Sequence, residues 1–168
     1  MLRVGWARNQ ARKVLNRLEI AEPPVDIAQV AKQLGIKLVD RGFDSHISSL
    51  LLVKGDKSII CVNKMHHAHR RRFSIAHEIG HFVLHKDEAP YFDSPKDYEV
   101  YFRANTAESP DVLKEIEANQ FAAELLMPLA MIRNDLSKTP PPTASELAKK
   151  YKVSEQAMTF RLASLRPG

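Results

Sequence analysis

Apolar residues Ala7, Ala11, Val14, Leu15 and Leu18 recur at the spacing of one helix face and predict an amphipathic helix over Arg8 to Leu18. Pro23 and Pro24 interrupt it. Asp26 and Gln29 have the spacing of a capping box, so a second helix is expected from Ile27 to Leu34, ended by Gly35. The period then shortens. Ile36 to Val39 reads as a strand, and Ile47 to Val53 and Ser58 to Val62 flank Lys54-Gly55-Asp56-Lys57 as a β-hairpin. Helical periodicity returns from His69 to His85. Lys86 to Pro110 is polar, acidic and interleaved with Tyr91, Phe92, Tyr98, Tyr101 and Phe102, a length of connection expected of a functional lid or of a segment with its own structure. Ser109-Pro110-Asp111 predicts a helix start, with a capping residue, a first-turn proline and an acid at the positive end of the dipole. That helix should run to Met127, where Pro128 stops it and opens a short successor.

Pro140, Pro141 and Pro142 mark a linker, and Thr143 with Glu146 forms a second capping-box pattern. A helix to Tyr151, a turn, and a helix capped by Ser154 and reaching Leu165 are expected beyond it. The order of helices, small sheet and helices predicts an α+β protein: a domain over residues 1–136, a linker over 137–143, and helices over 144–168 packed on that domain.

The chain has 168 residues, 44% hydrophobic and 27% charged, which fits one domain with a small appendage. The single cysteine, Cys61, excludes an internal disulfide framework and fits a reducing cytosol. Stretches such as Leu50 to Val53 fall far short of a membrane span, and arginines spread through Met1 to Ile20 argue against a secretory signal. A cytoplasmic protein is expected. The net charge of +5 and pI near 9.4 point to an acidic or nucleic-acid partner without establishing one.

The chemistry centres on His77-Glu78-Ile79-Gly80-His81, an H-E-x-x-H motif in a helical segment. Residues four apart share a helix face, so His77 and His81 can present nitrogens to one zinc ion. Glu78 is turned about 100° from His77, beside the ion, where a base can take a proton from water. The flanks Phe73, Ile75, Ala76, Ile79, Phe82, Val83 and Leu84 mark a core helix, in which these polar side chains need a partner.

A zinc site with an open position needs a third protein ligand. Glu115, Ala118, Asn119, Ala122, Leu125 and Leu126 form one stripe of the helix beginning at Asp111. Glu117 falls on a different face with Leu113, Gln120 and Glu124, expected to meet water. A carboxylate on the apolar stripe needs neutralising, so Glu115 is the better third ligand and Glu117 the alternative. Asn119, one turn on, is placed to hydrogen-bond a ligand histidine.

Arg71 to His81, followed by Glu115-Ile116-Glu117-Ala118-Asn119-Gln120-Phe121-Ala122-Ala123-Glu124-Leu125-Leu126-Met127-Pro128, resembles the ImmA/IrrE family of zinc metallo-endopeptidases. Pro23-Pro24-Val25-Asp26-Ile27 and Ala31 to Ile36 are similar to that family's entry segment, so the likeness covers about Arg8 to Pro128. It implies a zincin-like fold with one zinc ion between the two motif helices, Glu115 rather than Glu117 at the third-ligand position, and Asn119 at the polar position four further on. It also implies cleavage of DNA-binding repressors or a stress-response role, and the additional C-terminal sensory domain of larger members is not expected here.

The expected activity is therefore zinc-dependent proteolysis of a helix-turn-helix repressor or similar regulator, with Glu78 as general base. The alternative is a non-proteolytic zinc-containing module that binds a repressor or toxin. A substrate strand is expected to pair with the hairpin's open edge at Ser58 to Asn63, which makes Ser58, Ile60, Val62 and Asn63 substrate-binding candidates. His85 is a hydrogen-bonding or substrate-facing candidate, and with Tyr91, Tyr98 and Tyr101 a candidate oxyanion stabiliser. His66, His67 and His69 beside Arg70, Arg71 and Arg72 lack ligand spacing and read as a solvated helix entry, and Cys61 as buried packing. Leu147, Ala148, Val153, Ser154, Met158 and Leu162 resemble a helix-turn-helix, with Lys149, Lys150, Lys152 and Arg161 adding charge. Because Lys152 stands where such a turn favours glycine, docking is expected over direct DNA binding. The pattern leaves the oligomeric state open.

Overall fold

A computed structural model of the chain describes residues 1–88 and 110–165. Tyr91, Phe92, Tyr98, Tyr101 and Phe102 lie outside the described residues.

Helix α1 (Val4–Arg17) begins one turn before the predicted start and buries Ala7, Ala11, Val14 and Leu15. Helix α2 (Ile27–Gln33) is capped by Asp26, whose carboxylate accepts from the Gln29 amide at 3.0 Å. Strands β1 (Ile36–Arg41), β2 (Ser49–Lys54) and β3 (Lys57–Asn63) follow. β2 and β3 form the expected antiparallel hairpin, turned at Gly55 with φ +60.

The sheet order is β1-β3-β2, because β1 returns to pair in parallel with β3, Ile36 opposite Ser58 and Arg41 opposite Asn63. The edge expected at Ser58 to Asn63 is therefore the interior strand, its backbone groups engaged on both sides. Ser58, Ile60, Val62 and Asn63 are all buried. Among the described residues, the hairpin strand at the edge of the sheet is β2.

Helix α3 (Ala68–His85) lies against the sheet, followed by a short 3-10 turn (Lys86–Glu88). Helix α4 (Pro110–Leu126) packs along both α3 and α1, and α5 (Leu129–Leu136) follows Pro128. Helix α6 (Ala144–Tyr151) carries the complete capping box of Thr143 and Glu146, and α7 (Glu155–Ala163) is capped by Ser154.

The last two helices share the core of the rest: Leu147, Tyr151, Val153 and Met158 join one apolar cluster with Ile60, Ile79, Phe121, Leu125 and Ile132. Each such side chain taken fully from water contributes about 1.5–3 kcal/mol. Arg72 of α3 fastens the junction, donating to the carbonyls of Tyr151 (3.4 Å), Lys152 (3.1 Å) and Val25 (3.0 Å). Lys152 adopts the left-handed conformation, φ 53, that the turn between α6 and α7 demands, at a cost of about 1–2 kcal/mol relative to glycine.

The second face of α4 departs from expectation. Glu117 and Glu124, expected to meet water, are 2% and 1% exposed. The reason is α1 and Arg3 just before it, from which arginines reach across as a ladder. Arg3 donates to Glu117 from its backbone N (2.9 Å), Nε (3.1 Å) and Nη2 (3.0 Å), Arg8 to Gln120 (2.8 and 3.0 Å), and Arg12 to Glu124 (3.0 Å). Arg161 of α7 completes the burial of Glu124 from the other side and donates to the Met127 carbonyl at 3.0 Å.

Candidate metal centre

Among the described residues one group of three side chains could hold a metal ion: His77 and His81 from α3 and Glu115 from α4. His77 Nε2 lies 2.9 Å from Glu115 Oε2, His81 Nε2 lies 2.9 Å from Glu115 Oε1, and the two Nε2 atoms are 3.0 Å apart. Asn119 Oδ1 stands 2.8 Å from His77 Nδ1. With that nitrogen donating to Asn119, Nε2 of the neutral ring carries the lone pair and faces a carboxylate. Either a proton on Nε2, which makes the ring a donor to Glu115, or a metal ion in its place bridges these two atoms.

The size of the triangle fits as well. Zinc bonds of about 2.0–2.2 Å in a tetrahedron put ligand atoms roughly 3.3 Å apart, a few tenths of an ångström wider than the separations here. Burial alone would lower the His77 pKa, but the Glu115 hydrogen bond, the charges of Glu78 and Glu115 and the Asn119 contact raise it. Burial would raise that of Glu115, but hydrogen bonds from His77 and His81 hold it well below the usual carboxylate range. The side chains of His77, His81 and Glu115 remain 15%, 12% and 30% exposed, enough for a ligand to reach them.

Glu117, the alternative third ligand, is engaged by Arg3 and points to α1. Glu78 is buried on the sheet side of α3 and accepts from Ser49 Oγ, the first residue of β2, at 2.8 Å. His85, the substrate-facing candidate, is instead 4% exposed, its Nε2 3.6 Å from Glu117 Oε2. The face that should carry it to a substrate is covered by α4. Asn63 is structural: its amide donates to the carbonyls of Phe43 (3.2 Å), Asp44 (3.2 Å) and Ile47 (2.8 Å), tying down the loop before β2. His66 Nε2 stands 2.8 Å from the Ser45 carbonyl of the same loop. Cys61 is buried, and that burial pushes its thiol pKa up.

Ser49, the arginine ladder and Gly80 escaped the sequence reading. Gly80 carried a signal, since a glycine inside a core helix costs about 1 kcal/mol against alanine and so needs a packing reason. The reason is close approach: a β-carbon there would stand 3.1 Å from the Ala118 carbonyl oxygen.

An H-E-x-x-H helix facing a carboxylate on a second helix is the arrangement of a metallopeptidase. The family model described as the IrrE N-terminal-like domain, of the M78 peptidases, matches residues 31–163, and the chain belongs to that family. It is 31% identical over 114 residues to the radiation response metalloprotease IrrE of Deinococcus radiodurans, covering 67% of this chain and 33% of that protein. Its fold is similar to a Mycobacterium tuberculosis transcriptional regulator, with a TM-score of 0.68 and 16% identity over 96% of this chain and 47% of the other. The chain thus spans about a third of the one relative and about half of the other. No helix among the described residues is long and apolar enough to cross a membrane.

Proposed function

We propose that the chain is a zinc-dependent endopeptidase whose substrate is a regulatory protein, foremost a DNA-binding repressor, met in the cytoplasm. The convergence of His77, His81 and Glu115 on one point, with Glu78 next to His77 in the chain, carries this reading. The zincin-like character of the domain is part of the proposal.

A single zinc ion in this site supplies Lewis acidity, polarising the scissile carbonyl and making water a nucleophile near neutral pH. His77 and His81 give Nε2, Glu115 gives a carboxylate oxygen, and Asn119 fixes the His77 ring through Nδ1. Glu78 takes the proton of the attacking water and returns it to the leaving amine. Ser49 holds the Glu78 carboxylate at 2.8 Å, so the base is tied to the first residue of that edge strand. A substrate segment adds to β2 along Ser49–Lys54, because β3 is closed on both sides.

Direct DNA binding is not part of this reading. Of Lys149, Lys150, Lys152 and Arg161, Arg161 is buried against Glu124 and Lys150 is paired with Asp135 at 2.5 Å, while Lys149 and Lys152 face solvent. Two cations are few for tight phosphate contact.

The test incubates the chain and its Glu78→Gln variant with a helix-turn-helix repressor encoded beside it, with zinc and after chelation. Cleavage by the zinc-loaded chain alone, with metal retained in the variant, is expected. A variant that still cuts, or a chain that binds no metal, would overturn the reading.

A further inference from the structure

Where the start of α3 meets α6 and α7, an open groove of about 820 Å³ runs between the helices. Phe73, Ala148, Val153 and Ala157 give it an apolar floor, and the exposed Arg70 and Lys149 stand at its rim. Glu155 is the one acid among its lining residues. We propose that this groove receives an amphipathic helix with acidic flanks, contributed by the protein substrate.

The chemistry favours that occupant. An apolar floor walled by helices takes apolar anchors at helical spacing, the mode by which a helix lies in a groove. The cationic rim then selects acids on the flanks of that helix, and like charges there are rejected. A nucleic acid needs a track of cations for its phosphates, whereas Arg70 and Lys149 are the two lysine or arginine residues in this lining and its floor is apolar.

The groove and the metal centre share helix α3. Phe73 precedes His77 by four residues on α3, one helical turn or about 6 Å along the axis. Arg70 donates from Nε to Ser48 Oγ at 3.1 Å, and Ser49, the next residue, holds Glu78. A helix seated in the groove therefore places the chain that follows it beside the β2 edge and the histidines. The substrate class is a protein that presents an acidic amphipathic helix next to its scissile segment. The role as a substrate site rests on the endopeptidase reading above, while the binding itself does not.

The experiment uses the full chain as its Glu78→Gln variant, zinc-loaded and after chelation, at about 0.15 M salt. Fluorescence anisotropy follows a labelled helical peptide with leucines at helical spacing and glutamates on its flanks, and a counterpart with lysines for glutamates. The acidic peptide is expected to bind at least tenfold tighter, with or without zinc. Lys149→Glu, an exposed change, should remove most of that preference, and Ala157→Arg should weaken binding tenfold or more. Equal binding of the two peptides, indifference to both substitutions, tighter binding of a mixed-sequence DNA duplex, or self-association abolished by Ala157→Arg would each overturn the proposal. Because this assay reads binding without cleavage, its failure leaves the repressor-cleavage test standing, and the reverse holds too.

Discussion

Gly80 of α3 approaches Ala118 of α4 so closely that a β-carbon at position 80 would lie 3.1 Å from the Ala118 carbonyl oxygen and 3.2 Å from its α-carbon. The contact sits one residue before His81, and Ala118 sits one residue before Asn119. The separation of the two helices at this point thus sets how near Glu115 comes to the histidines. Gly80→Ala adds helix propensity worth about 1 kcal/mol. The opposing backbone cannot turn aside as a side chain can, and the arginine ladder pins α4 on its far side. Overpacking of this kind costs about 1–3 kcal/mol, so the net change is destabilising. The expected outcome is a lower urea midpoint and zinc affinity reduced about tenfold, read by unfolding and by competition with a chelating dye.

Glu115→Ala removes one of three ligand atoms and should lose most bound zinc on purification. Glu117→Ala should keep its zinc, since that carboxylate is engaged by Arg3 at 2.9–3.1 Å. Metal analysis of the two proteins decides between the positions, and the reverse pattern would move the third ligand to Glu117.

Glu124 is almost fully buried between Arg12 and Arg161. Glu124→Ala strands the Arg161 guanidinium, which is 4% exposed, without its carboxylate. Removing one partner of a buried pair costs about 3–5 kcal/mol. Chemical denaturation should show a loss of that size, with α7 exchanging its amides faster because Arg161 no longer ties it to α4.

How far these arrangements were legible depends on the range of the interaction. Local periodicity located the helices and the hairpin, because capping residues such as Asp26, Thr143 and Ser154 and the turn at Gly55 act within four residues. It also grouped Glu115 with Asn119, the side of α4 that meets the histidines. Burial on α4 was misjudged for a physical reason. Amphipathicity reads a carboxylate as solvent-facing unless its counter-charge is nearby in sequence, and Arg3, Arg8 and Arg12 lie more than 100 residues from their partners. Glu115, in the cluster with His77 and His81, is in fact more exposed than Glu117 or Glu124. The sheet order was hidden likewise, since the parallel pairing of β1 with β3 carries no turn signal. Assigning the open edge to Ser58 through Asn63 followed from treating the hairpin as the whole sheet.

Asp135 anchors α5 to α6, accepting from Lys150 (2.5 Å), Lys138 (2.8 Å) and Tyr151 Oη (2.9 Å). Burial would raise its pKa, but these hydrogen bonds lower it to about 2, against about 3.9 for an unfolded chain. A folded pKa below the unfolded one stabilises the protein fully above about pH 4, and that contribution fades as pH falls toward 2. Asp135→Asn should therefore be less stable than the parent at pH 7, and the gap should narrow through this window. A gap independent of pH would assign the effect to packing instead.

Asn119 offers the most selective probe of the metal centre, because it touches His77 without belonging to the ligand triangle. Its Oδ1, 2.8 Å from His77 Nδ1, holds the ring so that Nε2 faces Glu115 and His81. Asn119 is exposed on α4, so Asn119→Ala leaves no cavity and should change the urea midpoint little. The His77 ring then loses its orienting partner, and removing such a partner weakens metal binding about 10- to 100-fold. Asn119→Asp restores an acceptor at the same place and adds negative charge, which makes the imidazole a better donor to a cation. Zinc affinity should therefore fall in the alanine variant and return to the parental level or beyond in the aspartate variant, with fold stability nearly constant throughout. If both variants bind zinc as the parent does, His77 is positioned by the packing of α3 alone and the Asn119 contact has no part in the centre.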